Sequence, residues 1–431
     1  MSVFDIPTST TNKIFNEYIK PGLNTEFVSN TILYDRFKTA PETCLGEYGV
    51  LKLQTAGSKS ARPSSSSEYP EATQGTYDEF LFYMKRAMYA SLQFDGLAIA
   101  CGKGAGAVKD IVKAETEGQA LYIASRLNRQ FWGDGSGRLA QLDAGSTAST
   151  TVNIDSPLFG KDSSSYTVAH QYLEEGMSVD IYNNTATTLE AEDVAISTLT
   201  DDADGTSTIV MGSAVTASDD SWIFQHDTYA TTEAAGTGVP MGLHGIITTA
   251  NPYVGVTATS AFQNIDRSSN TFAQAQSFQM GASATVATQK RILEVIHKAE
   301  RKGGTIDVII TTHPVYLALF DILAADRTLP GAKALWGGTS GIDFIGGRKK
   351  TIPIIWDDDC PDNNMYFLDS SKIIVSAPTK SGMEWQRYAG AILYEVQGKD
   401  EMAAHMKWYY NVSSRLMQCQ AVLTNVKHDS V

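Results

Sequence analysis

The run GAVKDIVKAETEGQALYIASRLNRQFW at 106–132 does most to restrict what this chain can become. Val108, Ile111 and Val112 are followed by Ala120, Ile123, Ala124, Leu127 and Phe131, the recurrence of one face of an α-helix. At a rise of 1.5 Å per residue such a helix is about 40 Å long. Its apolar face must be buried against another element, because a single helix cannot cover its own stripe. GDGSG at 133–137 stops it, as glycines after a last helical turn do.

The flanks read as strands. EYGVLKL (47–53) alternates polar and apolar residues, and EFLFYMKRAMYASLQF (79–94) starts as a strand. Between them QTAGSKSARPSSSSEYPEATQGTYD has almost nothing to bury, which makes an extended hairpin loop. The first 44 residues mix Ile14, Phe15, Tyr18 and Ile19 with Pro7, Pro21 and Pro41, a composition suited to an arm lying over other surfaces. From 149 to 235 short alternating runs (TVNID, YTVAH, MSVDIY, DVAIST, STIVMG, SWIFQHD) separated by turn residues predict a small inserted β-barrel or sandwich. A second amphipathic helix follows at 286–302, with Ile292, Leu293, Val295, Ile296 and Ala299 on its apolar face and Gly303-Gly304 at its end. TIDVIIT is then a buried strand, His313-Pro314 opens a third helix, and TIPIIW, MYFLD, KIIVSAP, AILYEV, MKWYYNV and QAVLTNV are further strands. The fold class is α+β.

Function classes narrow mainly by exclusion. The 431 residues, 42% of them hydrophobic, suffice for two or three compact units. With 34 basic and 48 acidic residues the formal charge is −14, so broad attraction to a nucleic-acid backbone is not expected. Cys44, Cys101, Cys360 and Cys419 form no C-x-x-C, which argues against zinc or a disulfide framework and for a reducing compartment. The sequence shows neither a signal-peptide pattern nor a run of about 18 apolar residues, so a soluble chain is expected. Gly102, Gly104 and Ala107 match G-x-G-x-x-A, but no second parallel strand ending in an acid follows, and nucleotide binding is not expected. GDGSG lies at the negative end of a helix dipole and suits no phosphate. Asp357-Asp358-Asp359 lacks the order of a calcium loop and reads as a solvated turn. The seven histidines show no metal spacing, and His297 and His313 read as structural. No G-x-S-x-G occurs. No catalytic, cofactor-binding or metal residue is nominated, and an enzyme is not expected.

The order of elements, with FDGLAIACGKGAGAVKDIVKAETEGQALYIASRLNRQFWGDGSG and AERKGGTIDVIITTHPVYLALFDIL as its most specific runs, resembles the major capsid proteins of tailed bacteriophages, the Hong Kong 97-type shell fold. The resemblance covers essentially the whole chain. It implies an N-terminal arm (1–44), an extended loop hairpin (45–82), a peripheral domain with a spine helix (83–148), an inserted β-barrel-like domain (149–235), an axial domain (236–395) and peripheral return strands (396–431). MKWYYNV and MQCQAVLTNV would both lie in the long peripheral sheet. It also implies self-assembly, as hexamers and pentamers, into an icosahedral virion shell around double-stranded DNA, assembled in the host cytoplasm. Scaffolding and portal proteins would be partners, packaged DNA would be held only weakly, and no membrane or cofactor would take part. Lys59, Arg62 and Glu68 would make contacts between subunits. Some members of the family cross-link a loop lysine to a distant asparagine; Lys59 lies in the corresponding loop, but no acceptor matches. Two other readings stay open: a cofactor-binding enzyme built on 286–375 with the glycines at 102–106, and a β-rich adhesion or tail protein suggested by 149–235.

Overall fold

The structure, a computed structural model, describes residues 33, 36–56, 69, 74–95, 118–119, 122–157, 169–202, 206–230, 238–247, 262–267, 269–281, 283–325, 342–344, 348, 351–379, 384–388, 392 and 394–427. In chain order, the short strands β1 (Lys38–Thr39) and β2 (Cys44–Leu45) lead to β3 (Tyr48–Ala56), β4 (Thr76–Tyr83) and β5 (Lys85–Asp95). Helix α1 occupies 122–132, within the expected span; most of the rest of that span, and Gly102, Gly104 and Ala107, lie outside the described residues. Six strands follow: β6 (Arg138–Leu142), β7 (Ser146–Pro157), β8 (Ser178–Tyr182), β9 (Leu189–Asp201), β10 (Ser207–Ala217) and β11 (Trp222–Gln225). Then come α2 (Leu243–Ile247), β12 (Gln276–Gln279), α3 (Gln289–Glu300), β13 (Val308–Thr311), α4 (His313–Ala325), β14 (Ile342–Phe344), β15 (Ile352–Trp356) and β16 (Met365–Leu368). The last are β17 (Ile373–Ser376), β18 (Glu384–Trp385), β19 (Tyr394–Glu395), β20 (Glu401–Ser414) and β21 (Ala421–Thr424).

Strand β20 organises the first sheet. Its N-terminal part pairs β5 antiparallel from Glu401↔Asp95 to Tyr410↔Lys85, and its C-terminal part pairs β17 from Asn411↔Ser376 to Ser414↔Ile373. β18 and β19 also pair with β20, and β1 runs parallel to β17. Along β5 the side chains alternate at the strand period: Ala90, Leu92 and Phe94 point inward, Tyr89, Ser91 and Gln93 outward. The inward face and α1 share one apolar core, to which the helix brings Leu127, Phe131 and Trp132. The Phe131 ring lies 5.4 Å from that of Tyr410. Gln130 fixes the helix on the sheet: its Nε2 donates to the Ala87 carbonyl (2.9 Å) and its Oε1 accepts from the Tyr410 hydroxyl (2.9 Å).

The second sheet is mixed, in the order β12-β21-β16-β13-β15-β14. β13 and β16 are buried at every position, as strands covered on both faces must be. Their alternation divides two cores. Ile309, Met365, Phe367 and Leu423 face α3 and α4, while Val308, Ile310, Tyr366, Leu368 and Val422 face the core that contains α1. Thr288 caps α3, its side chain accepting from the Arg291 amide, and Ile292, Val295, Ile296 and Ala299 form the buried face as the periodicity predicts, whereas Leu293, expected on that face, lies at its edge and is 42% exposed. The end of α1 reaches the sheet directly, with Trp132 5.1 Å from Tyr366. One expectation is corrected here. β20, with MKWYYNV, lies in the long first sheet, but β21, from MQCQAVLTNV, does not: it pairs with β16 and β12 in the mixed sheet. The physical reason is legible in AVLT, a continuous apolar run that suits a central strand with both faces covered.

Between α1 and α2 six antiparallel strands close into a barrel, in the order β10-β7-β6-β11-β8-β9. Its core, Leu139 to Ile223, is separate from the other two. The two ends of the insert meet at its neck: the Ala230 amide donates to the Ser136 carbonyl (3.2 Å), and Gly137, at φ +87°, sits so close to the Thr228 carbonyl that no Cβ would fit. The barrel therefore begins at Arg138, ahead of the expected boundary at 149, and residues 138–148 do not belong with the helix. RLAQL is too short a run to stand out beside the GDGSG turn, yet β6 is the strand that joins β7 to β11.

This closure gives a sharp test. A fragment spanning 137–230 should unfold cooperatively in urea with β-type circular dichroism, whereas one spanning 149–235 lacks β6, leaves β7 and β11 with open edges, and should be aggregated or unfolded. Within the whole chain, Leu127→Asp puts an unpaired charge in the shared core and should cost roughly 3 kcal/mol or more in urea denaturation.

Candidate functional site

Among the described residues, those singled out for chemistry lie in separate contacts. Lys59, Arg62 and Glu68 lie outside the described residues. GDGSG is a helix stop: the Gly133 amide donates to the Arg129 carbonyl (3.0 Å), and Gly135 and Gly137 take positive φ. The buried Asp134 accepts from the Ser136 amide (3.0 Å) and hydroxyl (2.6 Å) and pairs with Arg138. Burial alone would raise that carboxyl, but Arg138 and Ser136 outweigh it and hold it below the usual range. Gly242 packs so closely on Gly133 that an added Cβ would lie 2.5 Å from its backbone, which joins the end of α1 to the start of α2.

The histidines are spread over separate contacts. His226 Nδ1 lies 2.8 Å from Asp180, His170 Nδ1 2.6 Å from the Ser207 hydroxyl, and His244 Nδ1 3.0 Å from the Tyr366 hydroxyl, while the His313 ring meets Trp356 edge-on at 5.0 Å. Hydrogen bonding to Asp180 raises His226, and burial lowers His244. Among the described residues, no group of three or more His, Cys, Asp or Glu side chains could hold a metal ion. None of their helices is long and apolar enough to cross a membrane.

The triple-aspartate loop is where the structure departs most from the sequence reading, and the solvated turn is corrected. Asp357 is 2% exposed, Asp359 is half-buried, and of the three only Asp358 is exposed. The Asn128 amide on α1 donates to Asp357 Oδ1 and to Asp359 Oδ2, each at 2.8 Å. The barrel adds a third party. Arg126 and Arg129 of α1 both reach the Tyr172 carbonyl (3.4 Å each), Arg126 pairs with Glu174 (2.8 Å), and Gln171 Nε2 donates to the Asp358 carbonyl (3.1 Å). Burial, then the charge of Asp357, pushes Asp359 up to about 7; burial, then Arg126, brings Arg129 down to about 10. Helix α1, the mixed sheet and the barrel are thus joined at one polar point. Its signal in the sequence was the polar pair Asn128-Arg129 beside the apolar stripe, on two turns that prove to be buried almost all round.

A second feature faces outward. The β3–β4 ribbon pairs from Tyr48↔Tyr83 to Ala56↔Thr76. At its base Leu51, Phe80 and Phe82 enter the core, and Gly49 leaves room for the Phe82 ring. Farther out, Thr76, Tyr77, Asp78 and Glu79 are all exposed, on both faces, with Tyr77 65% exposed. Among the described residues nothing covers this outer part of β4, and an uncovered two-stranded ribbon is marginal in water.

No family model matches the chain, and no curated protein sequence matches it. Solved structures do. A subunit of the cyanophage A-1(L) capsid is 12% identical, with 92% of this chain and 91% of that one covered at a TM-score of 0.49. A subunit of the native GTA particle capsid is 9% identical over 92% and 91%, TM-score 0.48. A chain of Mycobacterium phage Adephagia is 10% identical over 93% and 91%, TM-score 0.39.

Because Asn128 is the shared donor of two buried acids, Asn128→Ala should lower stability by about 1–3 kcal/mol in urea denaturation at neutral pH. Asp358→Asn, at the exposed position of the same loop, should stay within about 0.5 kcal/mol of wild type.

Proposed function

We propose that this chain is the major capsid protein of a tailed bacteriophage, and that its function is to build a closed shell from many copies of itself. The observation that carries the reading is the ribbon of β3 and β4, anchored at its base by Phe80 and Phe82 and bare on both faces beyond Glu79. Backbone pairing continues where no apolar face among the described residues supports it, so a neighbouring copy supplies the cover. The runs that resemble the family's spine helix and axial core support the same reading. In those terms α1 and the β5–β20 sheet are the peripheral domain, the mixed sheet with α3 and α4 is the axial domain, and the barrel is an insert. A formal charge of −14 suits a wall that must not hold packaged DNA tightly.

The shell exists only as an assembly, so each contact repeats many times and can be individually modest. Hexamers and pentamers of the chain form the wall, scaffolding and portal proteins take part in assembly in the host cytoplasm, and the finished site is the virion. Lys59, Arg62 and Glu68, in the loop that joins β3 to β4, contact the neighbour.

The test is expression together with the neighbouring viral genes, followed by electron microscopy. Wild type should give hollow icosahedral particles. Deleting 56–74 should leave a subunit that melts within a few degrees of wild type but closes no shells, and Tyr77→Asp should reduce particle yield at least tenfold with no loss of subunit stability. Normal shells from the deletion would remove the ribbon from the account.

A further inference from the structure

The joint between α1, the barrel and the triple-aspartate loop contains more acid than its surroundings neutralise. Both Asp357 and Asp359 reach the same Asn128 amide nitrogen, which holds the two carboxyl groups side by side. From α1 the cation facing them is Arg129, since Arg126 is committed to Glu174 and lies over the Tyr122 ring at 5.1 Å. The barrel presents Tyr172, whose phenol burial pushes well above its usual value, and Gln171, which binds the Asp358 backbone. The loop itself adds the exposed Asp358, the buried Cys360, whose thiol is pushed up by burial, and Asp362. Two buried carboxylates facing one guanidinium cannot both ionise without cost, and burial together with the neighbouring charge of Asp357 keeps the proton on Asp359.

We propose that this joint is a proton-operated clasp: while Asp359 carries a proton beside Asp357 the loop holds α1 and the barrel together, and loss of that proton loosens the barrel's attachment at 171–174. The direction follows from linkage. Asp359 in the folded chain sits near 7, against 3.8 for an ordinary aspartate. The folded joint therefore binds the proton more tightly than the unfolded chain. Its strength is full below about pH 4 and is lost as pH rises through about 7. Two carboxylates that have lost the proton repel each other across the Asn128 amide, and the contacts that share that loop, Gln171 on Asp358 among them, weaken with it. The barrel keeps its own closed strands and core throughout, so what changes is its attachment and not its fold. The inference concerns the subunit alone and stands whether or not the chain builds shells.

Hydrogen exchange of the full-length subunit read by mass spectrometry at pH 5.5 and 8.5, with times scaled for the intrinsic exchange rate, tests it. Peptides covering 126–133 and 169–177 should lose protection about tenfold or more at the higher pH, while the barrel peptide 207–217 stays constant. Asp359→Asn should hold those two segments equally protected at both pH values, and Asp358→Asn should behave as wild type. Equal protection at both pH values in the wild type would overturn the clasp, as would an Asp359→Asn protein that keeps the wild-type pH dependence. Should that variant fail to fold, the wild-type comparison still decides.

Discussion

The last two turns of α1 carry the rest of the architecture, because they are buried almost all round. Leu127 and Phe131 lie in the core shared with the β5–β20 sheet, Trp132 meets Tyr366 of the mixed sheet, and Asn128 with Arg129 faces the acidic loop and the barrel. A helix buried on every side has to satisfy its polar groups inside the protein. That requirement fixes where the barrel and the mixed sheet attach. The close approach of Gly242 to Gly133 then ties the end of the helix to α2, so neither segment can slide along the other.

Elements with strong periodicity were legible in the sequence. The apolar face of α3 emerged from its spacing, β13 from TIDVIIT, and the base of the ribbon from EYGVLKL. What the sequence hid depended on contacts distant in the chain. RLAQL becomes a barrel strand only because Trp222–Gln225 returns beside it, and AVLT joins the mixed sheet because Met365–Leu368 and Gln276–Gln279 leave a place between them. The triple aspartate misled for the same reason. A run of like charge is solvated unless another element brings donors to it, and Asn128 lies 229 residues earlier than Asp357.

The candidate site was less legible than the fold. The acidic joint is written as an unremarkable polar pair on a helix and an acidic turn, and neither signals the other. The ribbon was visible as two alternating strands around a segment with little to bury, although only the three-dimensional placement reveals that, among the described residues, the outer half of β4 is exposed on both faces. The joint and the ribbon differ in kind: the first ties three units together through polar contacts, and the second, among the described residues, is bare on its outer half.

Cryo-electron microscopy of particles formed by this chain, at a resolution that traces the backbone, tests the central claim most directly. The account predicts a closed shell in which the outer half of the β3–β4 ribbon, Tyr77 included, lies against a neighbouring copy. A small compact oligomer in which that ribbon stays bare to solvent would contradict it.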